Sequence, residues 1–84
     1  MSATPAQQTL GYPDLVAIFD DVFSYTGNMT AETSPEQVSR WDSLQHIALV
    51  RTLESTYGIQ LSLDEMLEMR CVGDIVRVLA RHGV

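Results

Sequence analysis

The sequence has no lysine, one cysteine, three prolines and two histidines among its 84 residues. All five basic residues are arginines, set against eleven acids, and the formal net charge at pH 7 is −6. An acidic surface of this kind repels nucleic-acid phosphates and anionic lipid and suits basic protein partners, which argues against nucleic-acid binding. Cys71 has no second cysteine to pair with, so no internal disulfide framework is expected, as in a reducing cytoplasm. No run approaches the roughly 20 apolar residues of a membrane span. Met1 to Thr9 lack both the basic region and the apolar run of a signal peptide. The soft metal ligands, His46, Cys71 and His82, are scattered without metal-ligand spacing, so no metal site is expected.

What is present is ordinary for a globular chain: 45% hydrophobic residues, enough for one shared core in a domain of this length. Residues 1–11 are polar and aperiodic and read as a flexible leader, leaving 12–84 as a single domain. A first helix is expected from Tyr12-Pro13-Asp14, where Pro13 fits the first turn and Asp14 suits the helix dipole. Leu15, Ile18, Phe19, Val22 and Phe23 recur at helical spacing and form its buried stripe, with Gly27 as the stop near Thr26. Residues 28–41 lack sustained periodicity and make a long loop, within which Ser34-Pro35-Glu36-Gln37 suits one short helical turn. Trp41 closes that loop as a packing anchor.

The second helix is expected over Ser43–Tyr57, stopped by Gly58, with Ile47, Leu49, Val50, Leu53 and Tyr57 on its buried face. Leu44, Ala48, Arg51, Thr52 and Ser55 fall on the opposite side. Ile59 and Leu61 tuck under the bundle. Ser62 with Glu65 is a capping-box pair opening a short third helix through Met69, to which Leu63, Met66 and Leu67 contribute apolar side chains. The last helix runs over Val72–Arg81, with Val72, Ile75, Val76 and Leu79 inward and Gly83 as its stop. Asp20-Asp21 and Asp64-Glu65 read as solvated faces. No strand pattern competes, so the expected fold is all-α, a four-helix bundle with a long first loop and a short third helix.

Ser43 and His46, three apart, invite comparison with a nucleophile and its base. The first turn of an exposed helix offers neither oxyanion donors nor a cleft that excludes water, so no catalytic residue is assigned. His46 reads as a partly buried histidine with a local hydrogen bond. Asp42 suits the N-cap of the second helix, with Gln45 as its capping-box partner. That arrangement leaves Ser43 exposed at a helix start, where backbone N–H groups and the dipole favour a phosphodiester. Leu44, apolar on the solvent side, is a candidate contact.

Four stretches carry a resemblance: Asp42-Ser43-Leu44, Leu53-Glu54, Tyr57-Gly58-Ile59 and Val72-Gly73-Asp74-Ile75. In this order, and over residues 13–82, they are similar to the acyl carrier protein family. The resemblance implies an acyl-carrier-type bundle, not an enzyme. In it Ser43 takes 4′-phosphopantetheine from coenzyme A, Asp42 and Leu44 match the residues flanking the attachment serine, and the arm holds acyl cargo as a thioester. The implied partners are a phosphopantetheinyl transferase and acyl-loading and acyl-consuming enzymes, met through Leu44, Ala48, Arg51 and Ser55, and the implied protein is a cytoplasmic monomer. Fatty-acid-synthase carriers usually have an acidic second helix, whereas Arg51 and Ser55 occupy the exposed face here. The W-D-S-L form is similar to discrete carriers of secondary-metabolite, polyketide-type or cell-surface pathways. A peptidyl or aminoacyl carrier, which would commonly show Gly-Gly ahead of the serine, and an unmodified helical interaction module with the same fold are the alternatives.

Overall fold

A computed structural model describes residues 12–84; the leader expected over 1–11 lies outside the described residues. Four helices follow in order: α1 Asp14–Phe23, α2 Ser43–Tyr57, α3 Leu63–Glu68 and α4 Val72–Arg81. The described residues are all-α, as the periodicity predicts.

α1 buries Leu15, Ile18, Phe19 and Phe23, while Val22 is half-buried at the edge of the stripe. It ends at Phe23, earlier than the predicted stop at Gly27. Ser24 takes the left-handed conformation (φ 54°), and its N–H donates to the Asp20 carbonyl while that of Tyr25 reaches the Phe19 carbonyl. The Ser24 bond is the αL-type closure, made by serine in the position that glycine usually occupies. Tyr25 packs back on Phe19 at 6.5 Å between ring centroids, which holds the chain in that turn.

The long loop is built into the core more deeply than its polar composition suggests. Met29, Val38 and Trp41 are buried from it, and Ser34–Val38 closes the single turn expected there through Val38 N–H to the Ser34 carbonyl. Trp41 lies edge-on to Phe19 at 5.3 Å and stacks on Phe23 at 5.5 Å, so it is the anchor its size predicts. The loop also caps α4. Cys71, at the N-cap, makes no side-chain capping bond, and the N–H groups of Val72 and Gly73 instead reach the carbonyls of Thr33 and Ala31, both at 2.9 Å. A Cβ on Gly73 would come within 3.1 Å of the Ala31 carbonyl oxygen, so a side chain here would press the loop back by a few tenths of an ångström.

α2 runs over the predicted residues and closes on Gly58 (φ 64°). Leu49, Val50 and Leu53 are buried, but Ile47 is 47% exposed, against the expectation that it packs inward. Ile47 sits at the edge of the apolar arc defined by the other three, beyond the surface that α1 covers. Ala48 and Thr52, expected on the solvent side, are half-buried, and the Thr52 hydroxyl donates to the Ala48 carbonyl at 2.9 Å.

α3 forms the predicted capping box between Ser62 and Glu65. Its core contribution differs from expectation: Leu63 and Leu67 are exposed, Met66 is half-buried, and Met69, just past the helix, is the buried residue. A six-residue helix whose outer face no other helix covers can turn only one side inward. Glu65, predicted to be solvated, instead accepts from His82 at 2.9 Å, and Arg81 pairs with Glu68 at 3.1 Å. On α4 the buried set is Val72, Ile75, Val78 and Leu79; Val78 takes the place expected of Val76, which is half-buried on the flank. Gly83 closes the chain's last turn with φ 77°, as its position predicts.

Candidate functional site

Asp42 holds an extended conformation ahead of α2, and its carboxylate accepts the Gln45 N–H at 2.8 Å. The cap is therefore the predicted one, but its reciprocal half is absent. The Gln45 amide donates to the Val22 carbonyl at 2.9 Å, tying the start of α2 to the end of α1 instead of returning to Asp42. Tertiary contact wins over the local capping box, because the carbonyls of the last turn of α1 need donors.

Ser43 is the first residue of α2 and is exposed. Among the described residues, the N–H groups of Ser43 and Leu44 have no protein partner, and no acid follows in the first turn to offset the positive end of the dipole. An anionic group on the Ser43 oxygen would find two donors at the positive end of the helix, set against the neighbouring Asp42 carboxylate. Leu44, at 74% exposure, stands beside it with no packing role. Arg51 and Ser55, further along the helix, are exposed, whereas Ala48 is half-buried.

A groove of about 840 Å³ opens next to Ser43, with Trp41, His46 and Ile47 along one side and Met66, Leu67 and Met69 along the other. Its lining explains why Ile47 and Leu67 miss the core: both face this groove. His46 is not a base for Ser43. Its Nδ1 accepts the Trp41 indole N–H at 2.9 Å, and its Nε2 lies 2.8 Å from the Met66 carbonyl. An indole N–H only donates, so the imidazole is neutral with its proton on Nε2, and both nitrogens are occupied. The sequence shows Trp41 as an anchor and His46 as a histidine with a local bond. That the two bond to each other across Ser43 is visible only as a five-residue spacing between a donor and an acceptor.

Among the described residues, no group of three His, Cys, Asp or Glu is placed to hold a metal, and no helix is long and apolar enough to cross a membrane. A small helical bundle with an exposed serine at a helix start, beside an apolar groove, fits the carrier class that the sequence resemblance implies. The comparisons place it further. The family model described as a phosphopantetheine attachment site matches residues 40–79. A holo acyl carrier protein from Geobacter metallireducens, solved in solution, superposes with a TM-score of 0.74 at 36% identity, covering 89% of this chain and 90% of that one. A Mycobacterium tuberculosis protein described as a candidate acyl carrier protein shares the fold, with a TM-score of 0.75 at 21% identity over 83% of this chain and 95% of that one. No curated protein matches. The chain belongs to the acyl carrier protein family. It is a carrier and not an enzyme, and its cofactor is phosphopantetheine, covalently attached.

Proposed function

We propose that Ser43 is the residue that receives phosphopantetheine and that residues 12–84 act as one discrete carrier domain for acyl groups. The observation that carries this reading is the exposed Ser43 hydroxyl at the start of α2, with the free N–H groups of Ser43 and Leu44 beside it. In the transfer, the Ser43 oxygen forms the new phosphodiester bond and the nucleotide portion of coenzyme A leaves. When bound, the group supplies a terminal thiol that holds the cargo as a thioester. Asp42 sets the helix start, and Leu44 gives a transferase an apolar contact next to the hydroxyl. Tethering raises the effective concentration of cargo at each enzyme in turn.

The partners on this reading are a phosphopantetheinyl transferase and acyl-loading and acyl-consuming enzymes. They meet the α2 face through Leu44, Arg51 and Ser55, with the half-buried Ala48 between them. The polar, arginine-bearing character of that face supports specialised partners, as in a secondary-metabolite pathway of polyketide type, and the setting is a monomer in the cytoplasm. The test is incubation of the chain with coenzyme A and a broad-specificity transferase, followed by peptide mass analysis. The arm's mass is expected on the peptide holding Ser43 alone, and Ser43→Ala is expected to gain nothing. A gain by that variant would overturn the assignment.

A further inference from the structure

Ser43 is straddled by a side-chain link that takes no part in the bond-making of attachment. Trp41, two residues before it, and His46, three residues after it, are joined by the indole-to-Nδ1 bond at 2.9 Å, with ring centroids 6.1 Å apart and planes 13° from parallel. On its far side the same imidazole reaches the Met66 carbonyl of α3 at 2.8 Å. α3 has no fully buried side chain, so its position over the groove depends on ties of this kind. One ring thus joins the loop's end, the first turn of α2 and α3.

We propose that His46 is a positioning residue for phosphopantetheine transfer: its neutral imidazole clamps Trp41 and α3 to the first turn of α2, and so fixes the direction of the Ser43 hydroxyl beside the groove. The proposal rests on the reading of Ser43 as the attachment residue. Protonation opens the clamp on one side. An imidazolium has two N–H donors and no acceptor, so its Nδ1–H would oppose the indole N–H, while the Met66 carbonyl can still accept from Nε2. The charged groups lining the groove around the ring are Glu36 from the loop, Asp42 at the start of α2 and Arg70 after α3. Among the described residues none of the three is hydrogen-bonded to the imidazole, and both of its nitrogens are held by neutral partners.

Trp41 is the only tryptophan, so its indole N–H gives a single proton resonance in the full chain. That resonance is followed from about pH 8 to about pH 5, the range in which imidazoles change charge, in the wild type and in His46→Asn, His46→Gln, His46→Phe and His82→Gln. In the wild type and in His82→Gln it is expected at the position of a hydrogen-bonded indole, exchanging with water more slowly than in His46→Gln and His46→Phe. His46→Asn puts an amide oxygen near the place of Nδ1, and its indole resonance is expected to stay put across the range. His46→Gln keeps a donor near Nε2 for Met66 but loses the acceptor for Trp41.

The second readout is the initial rate of transfer from coenzyme A, each variant compared with wild type at the same pH. His46→Phe is expected to lose about five- to tenfold in kcat/KM at the alkaline end, the factor equivalent to one net hydrogen bond, with the loss falling on kcat. His46→Asn is expected to recover part of that loss and to show no change relative to itself as the imidazole range is crossed. The Asn and Gln variants carry the test if His46→Phe loses helix content. An indole resonance indifferent to His46, or wild-type transfer kinetics in the variants, overturns the clamp while a mass gain at Ser43 stands. No mass gain on the wild type overturns the attachment reading and the positioning role together.

Discussion

Tyr57 is the residue least suited to its surroundings. Its hydroxyl is buried without a hydrogen-bond partner among the described residues, while its ring packs edge-on against Tyr12 at 5.9 Å. Burial first, then the nearby Asp14 and Tyr12, pushes its pKa up to about 12. An orphaned hydroxyl costs about 1–3 kcal/mol of desolvation, whereas the ring's packing is favourable. Tyr57→Phe should keep the ring, remove the orphan and raise stability by about 1 kcal/mol, or about 4–8 °C in a thermal melt of a domain this size. The folded pKa lies above the unfolded value of 10.0, so the wild type should also lose stability as pH rises past that value. The Phe variant should be spared that loss. A lower melting temperature for Tyr57→Phe would mean that the hydroxyl has a partner.

Among the elements, the third helix separates what the sequence shows from what it cannot. Its start was legible because a capping box is local: Ser62 and Glu65 must lie three apart, and the bonds follow from that spacing. The same holds for Asp42 at the start of α2 and for Gly58 at its end. Which of its apolar residues enter the core was not legible, since a six-residue helix gives too few turns to define a face. Ile47 departs from expectation for a related reason, because helical projection shows an arc but not how far the neighbouring helix covers it. The Gln45 amide went to Val22 and the loop carbonyls went to the N–H groups of α4. These are contacts between segments far apart in sequence, so no local pattern announces them. Met69→Ala removes a buried side chain and should cost about 2–4 kcal/mol, while Leu67→Ala on the exposed face should fall within about 0.5 kcal/mol of wild type. Urea unfolding of the two variants measures the difference. Equal costs would put Leu67 back in the core.

For the molecule as a whole, the acids that govern its response to pH are those placed beside donors, and two of them sit at the same corner. The Ser62 backbone N–H first, and His82 with it, holds the Glu65 carboxyl below its ordinary value against the burial that raises it. At Asp74 burial is the largest influence and raises the value. The Arg77 guanidinium, the Arg70 N–H and Cys71 together outweigh it, and the carboxyl again sits low. Each group therefore binds its proton less readily folded than unfolded. Its stabilisation is fully present above the unfolded carboxylate range and is lost as pH falls through the lower folded value. Glu65 anchors α3 to the end of α4, and Asp74 ties the start of α4 to the segment after α3. Acid in the carboxylate range should thus loosen the α3–α4 corner, through the loss of both charges. Glu65→Gln separates this from a general effect of charge. The variant should be less stable than wild type near neutral pH, and the gap should close in acid as the pH falls through the lowered folded value and the wild-type carboxyl is neutralised too. Urea titrations of both proteins near neutral pH and in acid check the sign. A gap that stays the same width at both would show that the Glu65 charge contributes nothing to holding α3.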